Sequence, residues 1–253
     1  SQATSSSFQP LVPPHQVLRP FQRVGPEYLL AVKRGLLCDD CGLGKSPQSV
    51  AFMNTAKVNQ FLVVCPASLL NNWKIEIERW STLDKPVHIF KPGKKNPRDG
   101  ILILSFGLVS NINMLKRILA NYKFQGLIVD EFHLIKSMDA SRTKNLLGIG
   151  GPFDRAEFIA ALSGTPLVNK PVEIWPVASR INPTALGCKN FKEFGQMFAE
   201  EKLNPFTNTI EYVGSKNEKI LGERLRSTMM IRRRREDVLH DLPDKTRRAI
   251  YLN

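Results

Sequence analysis

The sequence predicts an α/β fold: a mostly parallel sheet flanked by helices, with a helical appendage at its C-terminal end. Three observations predict it. Five short apolar runs are spaced along the first two thirds of the chain, helical stretches lie between them, and most of the runs end in polar or glycine-rich residues.

The runs are GLLC (35–38), FLVVCP (61–66), ILILS (101–105), GLIVDE (126–131) and FIAALSG (158–164). They are nearly continuous in apolar character rather than alternating, as expected of strands buried on both faces. The stretches Lys45 to Ala56, Ser68 to Trp80 and Leu108 to Tyr122 read as helices. Strand–helix alternation implies right-handed crossovers and parallel pairing, and such sheets collect ligands at the carboxyl ends of their strands. From about Pro171 the strand signal fades. Helices are expected over Val172 to Ile181, Asn190 to Glu201 and Glu218 to Met230, interrupted by a polar stretch near Asn204 to Asn217. Residues 1–14, rich in Ser, Gln and Pro, read as a loose leader. The division expected is therefore 1–14 leader, 15–170 sheet domain and 171–253 appendage.

Composition narrows the function. The 253 residues are 42% hydrophobic, enough for one substantial core, and the 36 Lys plus Arg against 23 Asp plus Glu leave a net charge of +13. That surplus favours a polyanionic partner, nucleic acid first. Four scattered cysteines argue against a disulfide framework, and the Cys38–Cys41 pair lacks the further ligands zinc requires. No apolar run approaches the roughly 18 residues of a membrane span and no signal-peptide pattern opens the chain, so an intracellular, DNA-associated setting without a membrane is expected, in a nucleus or in a bacterial or viral nucleoid alike.

Three segments carry chemistry. DDCGLGKS (39–46) follows an apolar strand and opens a helix, the setting of a phosphate-binding loop. Gly42, Leu43 and Gly44 supply backbone amides to ATP phosphates, Lys45 neutralises the β- and γ-oxygens, and the Ser46 hydroxyl faces Mg2+. The motif's first glycine is Asp39 here. DEFH (130–133) ends a buried strand and puts Asp130 on the metal side, with Glu131 placed to activate water as general base. SGTP (163–166) ends the next strand, where Ser163 and Thr165 can bridge His133 to the nucleic-acid side. Upstream, the Gln22 amide has both donor and acceptor and suits an adenine edge. Each motif alone also reads as an ordinary turn or strand end, but together they stand in one order on successive strands.

From His15 onward the chain resembles the Swi/Snf-type branch of the DExx-box helicases of superfamily two. LRPFQRVGPEYLL resembles the adenine-reading Q motif, DDCGLGKS the phosphate loop, VVCPASLLNNW (63–73) motif Ia and ILILSFGLV (101–109) motif Ib. VDEFHLIK (129–136) resembles motif II, LSGTPLVNKPVEIWP (162–176) motif III and its continuation, and MIRRRREDVLHDLPDKTRRAIYL (230–252) the stretch leading toward a second lobe. The wording LRPFQRVG, the continuation of SGTP into Pro171, Val172 and Glu173, and IRRRREDVLHDLPDK (231–245) are most similar to the distant annealing-helicase-like subgroup. Asp40 and Cys41 depart from the usual Glu and Met, Ser46 from Thr, and Phe132 from a small residue, with a bearing on how motif II meets motif III.

The resemblance implies a RecA-like first lobe, ATP and Mg2+ as cofactors, and sequence-tolerant binding of DNA, duplex first. DNA phosphates would run near Ser68, Ser105 and Asn169, with charge from Lys136 and from the loop KPGKKNPR, notably Lys94 and Lys95; that loop reads equally as a solvated turn. Arg232 to Arg235 read either as DNA contacts or as part of a helix whose arginines face acidic partners. A second RecA-like lobe in cis, bearing an arginine finger, would be needed for full turnover, so this chain alone is expected to bind nucleotide and hydrolyse it slowly. Two alternatives stay open: a strand-separating RNA or DNA helicase of the same superfamily, and a stand-alone nucleotide- or DNA-binding module.

Overall fold

In a computed structural model, residues 3–93, 97–166, 170–206 and 208–238 are described. Helix α1 (Pro20–Val32) precedes strand β1 (Arg34–Leu37); then follow α2 (Lys45–Thr55), β2 (Phe61–Cys65), α3 (Leu70–Trp80), β3 (Val87–Ile89) and β4 (Ile101–Ser105). Next come α4 (Phe106–Ser110), α5 (Ile112–Asn121), β5 (Gly126–Asp130), α6 (Ser141–Leu147), α7 (Pro152–Arg155) and β6 (Phe158–Leu162). The remainder comprises α8 (Trp175–Ile181), α9 (Phe191–Phe198), β7 (Glu200–Asn204), β8 (Thr209–Val213), α10 (Glu218–Thr228), β9 (Met230–Ile231) and α11 (Arg235–Val238).

Seven strands form one sheet in the order β3-β4-β2-β5-β6-β1-β9, and every pairing in it is parallel. Alternate residues of each strand feed two cores. Leu62, Val64, Leu102, Leu104, Leu127 and Val129 face one side, against α4 to α6 and α8 to α10. Phe61, Val63, Ile101, Ile103 and Ile128 face the other, against α1 to α3. The interior strands therefore have no solvated face, which is why their sequence is apolar without alternation.

The five strands read from sequence all form. Several features differ from expectation. The helix expected over Leu108 to Tyr122 is two helices, because Asn111 is extended (ψ 103°) and its side chain accepts from the Met114 amide at 3.0 Å, capping α5. The polar stretch after Asn204 is the turn and second strand of an antiparallel hairpin, β7–β8, whose first strand takes over where α9 stops at Phe198. Met230, expected at the end of a helix, instead starts β9 and adds a parallel strand beside β1, with Leu36 facing Met230 and Leu37 facing Ile231.

The region after Pro171 shares a core with the sheet: Trp175, Phe194, Phe198, Leu221 and Leu225 belong to the same buried cluster as Leu127 and Val129. Residues near the N-terminus, read as loose, also make contacts. The Leu11 amide donates to Thr55 Oγ1 at 2.8 Å, Asn54 Nδ2 donates to the Leu11 carbonyl at 3.0 Å, and Ser6 Oγ donates to Glu27 at 2.5 Å. Lys94, Lys95 and Asn169 lie outside the described residues, as does the stretch 239–253.

Candidate nucleotide cleft and its relatives

The carboxyl ends of β1, β2, β5 and β6 open onto one edge, and a cleft of about 450 Å³ lies there. Its walls include Gly42, Gly44, Lys45 and Ser46 from the β1–α2 loop, Asp130 and Glu131 from the end of β5, and Asn72, Glu76 and Arg79 from α3. Phosphate-loop and motif II residues are thus brought together.

Local sequence explains the loop. Gly42 and Gly44 have φ of 87° and 76°, in the left-handed region that glycine occupies without cost. Pro47 sits in the first turn of α2, where a missing N–H breaks no helical bond. A Cβ on Gly44 would lie 2.3 Å from Gln22 Nε2, so Gln22 rests directly on the loop. Both ends of the Gln22 amide have protein partners: Oε1 accepts from the Arg19 amide at 2.9 Å, and Nε2 donates to the Leu43 carbonyl at 3.2 Å. Lys45 Nζ donates to the Asp39 carbonyl at 2.8 Å, with the Asp40 carbonyl at 3.5 Å.

Motif II is built around one buried carboxylate. Asp130 is 8% exposed; its Oδ2 accepts from the Trp73 indole at 2.8 Å and its Oδ1 from the Glu131 amide at 3.0 Å. Burial pushes the Asp130 carboxyl above its usual range, opposed by the Trp73 and Glu131 hydrogen bonds and by the Lys45 charge. Glu131 has a φ of 52°, unusual for a residue with a Cβ and a mark of local strain at the strand's end. Its carboxyl is also pushed up, by burial first and then by the charge of Asp130. His133 Nδ1 lies 3.1 Å from Glu131 Oε2 and 3.2 Å from Ser163 Oγ, so it bridges the ends of β5 and β6. Ser163 Oγ also accepts from the Thr165 amide at 3.1 Å, while the Thr165 side chain is exposed. Phe132, the departure noted in motif II, is 2% exposed and fills the core under β5.

Of the residues read as nucleic-acid contacts, Ser68 is exposed just before α3, and Ser105, at the end of β4, accepts from the Leu108 amide at 3.4 Å to cap α4. Lys136 is engaged with Glu173 at 3.0 Å. Sequence reasoning missed Asn72, Glu76 and Arg79. Their spacing places them on one side of α3, beside the buried stripe Trp73, Ile77 and Trp80, and that periodicity was the available signal. It missed Trp73 as the partner of Asp130, which no local pattern announces. Arg232 to Arg235, left between two readings, divide: Arg233 is buried on Asp39, whereas Arg234 and Arg235 are exposed.

The sequence profile of the SNF2-related domain matches residues 21–253. The chain belongs to the SNF2-related family. A SWI/SNF-related matrix-associated actin-dependent regulator of chromatin, subfamily A-like protein 1, from Xenopus laevis is 31% identical over 240 residues, covering 93% of this chain and 24% of that protein. The chromatin-remodeling complex subunit snf22 of Schizosaccharomyces pombe is 29% identical over 259 residues, covering 92% and 15%. Among solved structures, the Sulfolobus solfataricus SWI2/SNF2 ATPase core in complex with dsDNA superposes with a TM-score of 0.71 at 24% identity, covering 93% of this chain and 49% of that one. The parallel sheet is therefore the RecA-like fold of SWI2/SNF2 ATPase cores, and the chain spans about a quarter or less of these curated SNF2-related relatives.

Proposed function

We propose that this SNF2-related chain is the ATP-binding first lobe of a DNA-dependent ATPase that moves along or remodels duplex DNA, acting with a second RecA-like lobe in cis. The observation that carries the reading is the cleft itself, where a glycine-rich loop with Lys45 and Ser46 faces Asp130 and Glu131 across one cavity. Ser46 and Asp130 offer hard oxygen donors, which fit Mg2+ completed by substrate phosphates and water. A bound Mg2+ would supply charge neutralisation at the phosphates.

The chain's own residues do the rest. Amides of the 42–46 loop and the Lys45 ammonium bind the triphosphate, Lys45 exchanging its carbonyl contacts for phosphate oxygens. Glu131 orients the attacking water and takes its proton. His133, poised between Glu131 and Ser163, links this base to the strand end that leads to Thr165 and the nucleic-acid side. Gln22 reads the adenine edge beside the loop, exchanging its Arg19 and Leu43 contacts for the base.

DNA as partner is supported by the net charge of +13 and by the dsDNA-bound relative of the same fold. Its phosphates would pass Ser68 and Ser105 on the edge that carries the cleft, with Asn169, Lys94, Lys95 and Lys136 adding contacts. Chromatin-regulator relatives support a nuclear, DNA-associated setting, and identity to the subfamily A-like protein 1 relatives supports placement beside that subgroup. Among the described residues no helix is long and apolar enough to cross a membrane.

The test is binding of the full-length protein to duplex DNA, single-stranded DNA and single-stranded RNA of unrelated sequences at rising salt. Expected is duplex preference without sequence preference and an affinity that falls steeply with salt. Preference for single-stranded RNA would select the strand-separating helicase instead.

A further inference from the structure

The phosphate loop begins with a buried charge. Asp39 stands where the motif has glycine and is 0% exposed, and a carboxylate so placed needs a fixed counter-charge. Arg233, 1% exposed, supplies it from the far end of the described chain. Its Nε donates to Asp39 Oδ1 at 2.9 Å and its Nη2 to Asp39 Oδ2, a bidentate fork. Nη2 also donates to Gln48 Oε1 at 2.7 Å, and Nη1 to the Phe21 carbonyl of α1. Gln48 Nε2 in turn donates to Asp39 Oδ2 at 3.1 Å and to the Leu43 carbonyl at 3.0 Å. One guanidinium thus ties together the loop, α2 and the helix that carries Gln22.

The backbone continues the same attachment. The Cys38 amide donates to the Ile231 carbonyl at 2.8 Å and the Asp40 amide to the Arg233 carbonyl at 3.0 Å, extending the β1–β9 pairing into the loop. The Arg235 amide then donates to Asp40 Oδ2 at 3.1 Å and its Nε to the Cys41 carbonyl at 2.7 Å. A Cβ on Gly42 would lie 2.5 Å from Arg235 Nη2, so the guanidinium lies directly against the loop.

We propose that Arg233 and Arg235, on the segment that leaves the sheet after β9, are positioning residues that hold the 39–46 loop in its nucleotide-receiving conformation. The proposal rests on the reading of that loop as the ATP site. Because the attachment runs through the exit segment, displacement of the chain beyond β9 would be felt first at Asp40 and Cys41. Lysine cannot replace Arg233, since one ammonium cannot span Asp39, Gln48 and the Phe21 carbonyl at once.

The experiment measures ATP affinity by calorimetry for the full-length parent, Arg235→Ala and Arg233→Lys, beside amide hydrogen exchange of the nucleotide-free proteins. Arg235 is exposed, so Arg235→Ala is expected to keep the parent melting temperature. Expected is about tenfold weaker ATP binding, the order of one lost charge-assisted hydrogen bond, with faster exchange across Cys41–Ser46 and unchanged exchange in β2, β4 and β5. Arg233→Lys should shift both readouts further in the same direction. Parent-like affinity in Arg235→Ala overturns the proposal, whatever Arg233→Lys does to the fold. Weaker affinity with unchanged loop exchange overturns it too, by assigning Arg235 a direct contact with nucleotide. A parent that binds no ATP removes the underlying reading of the loop, and the proposal with it.

Discussion

The indole of Trp73 donates a 2.8 Å hydrogen bond to Asp130 Oδ2, and both side chains are buried. This bond joins α3, which follows the exposed Ser68, to the carboxylate at the end of β5. It fixes the Asp130 rotamer and satisfies one of its oxygens from behind, as outer partners do for metal-binding carboxylates. Trp73→Phe keeps most of the apolar volume and deletes the donor. Expected is a loss of about 1–3 kcal/mol of stability, with a roughly 10–100-fold rise in the apparent Mg2+ requirement or fall in turnover. Thermal melts and a Mg2+ titration of ATP hydrolysis check both.

The raised carboxyls of Asp130 and Glu131 give a pH dependence of defined sign. With a pKa higher in the folded than in the unfolded state, each group holds its proton in the native protein where the unfolded chain has released it. Stability contributed by the pair in the absence of metal is therefore full below the ordinary carboxylate range and declines as pH rises through the raised values. Asp130→Asn, which keeps an acceptor for Trp73 but sets its NH2 against the Glu131 amide, should flatten that decline while abolishing hydrolysis. Melting curves across the acidic to neutral range decide it.

Removing the proposed base separates binding from chemistry. Glu131→Gln is expected to retain ATP affinity within a few-fold and to lose roughly 10²–10⁴ in turnover, the usual contribution of general-base catalysis. Equilibrium binding and single-turnover hydrolysis on the same preparation provide the comparison.

Gly44 is needed for conformation and for space. At a φ of 76°, with Gln22 Nε2 2.3 Å from where a Cβ would stand, alanine meets backbone strain and a collision together. Gly44→Ala should cost about 1–2 kcal/mol from the left-handed conformation alone and weaken ATP binding by about tenfold or more. Chemical denaturation and nucleotide titration measure the two effects separately.

The interior of the fold was legible because burial on both faces leaves a plain mark: β2, β4 and β5 are continuous apolar runs, and their polar ends located the site edge. β3 and β9 left no such mark. Val87–Ile89 is a short, half-buried edge strand, and Met230–Ile231 is two residues whose pairing with β1 depends on a partner 194 residues earlier in the chain. The same distance hid the meaning of Asp39. Its departure from glycine was visible in the sequence, whereas the compensating Arg233 lay among four consecutive arginines that local pattern could not tell apart. The break at Asn111 was written in a capping side chain within an otherwise helical stretch, and in the fold that cap prevails over helix propensity.

Steady-state ATP hydrolysis by the full-length protein, with and without duplex DNA and beside Glu131→Gln, tests the central reading most directly. Stimulation by duplex DNA that disappears in Glu131→Gln is the expected result. Nucleotide and DNA binding with no turnover under any condition would contradict it and leave a binding module.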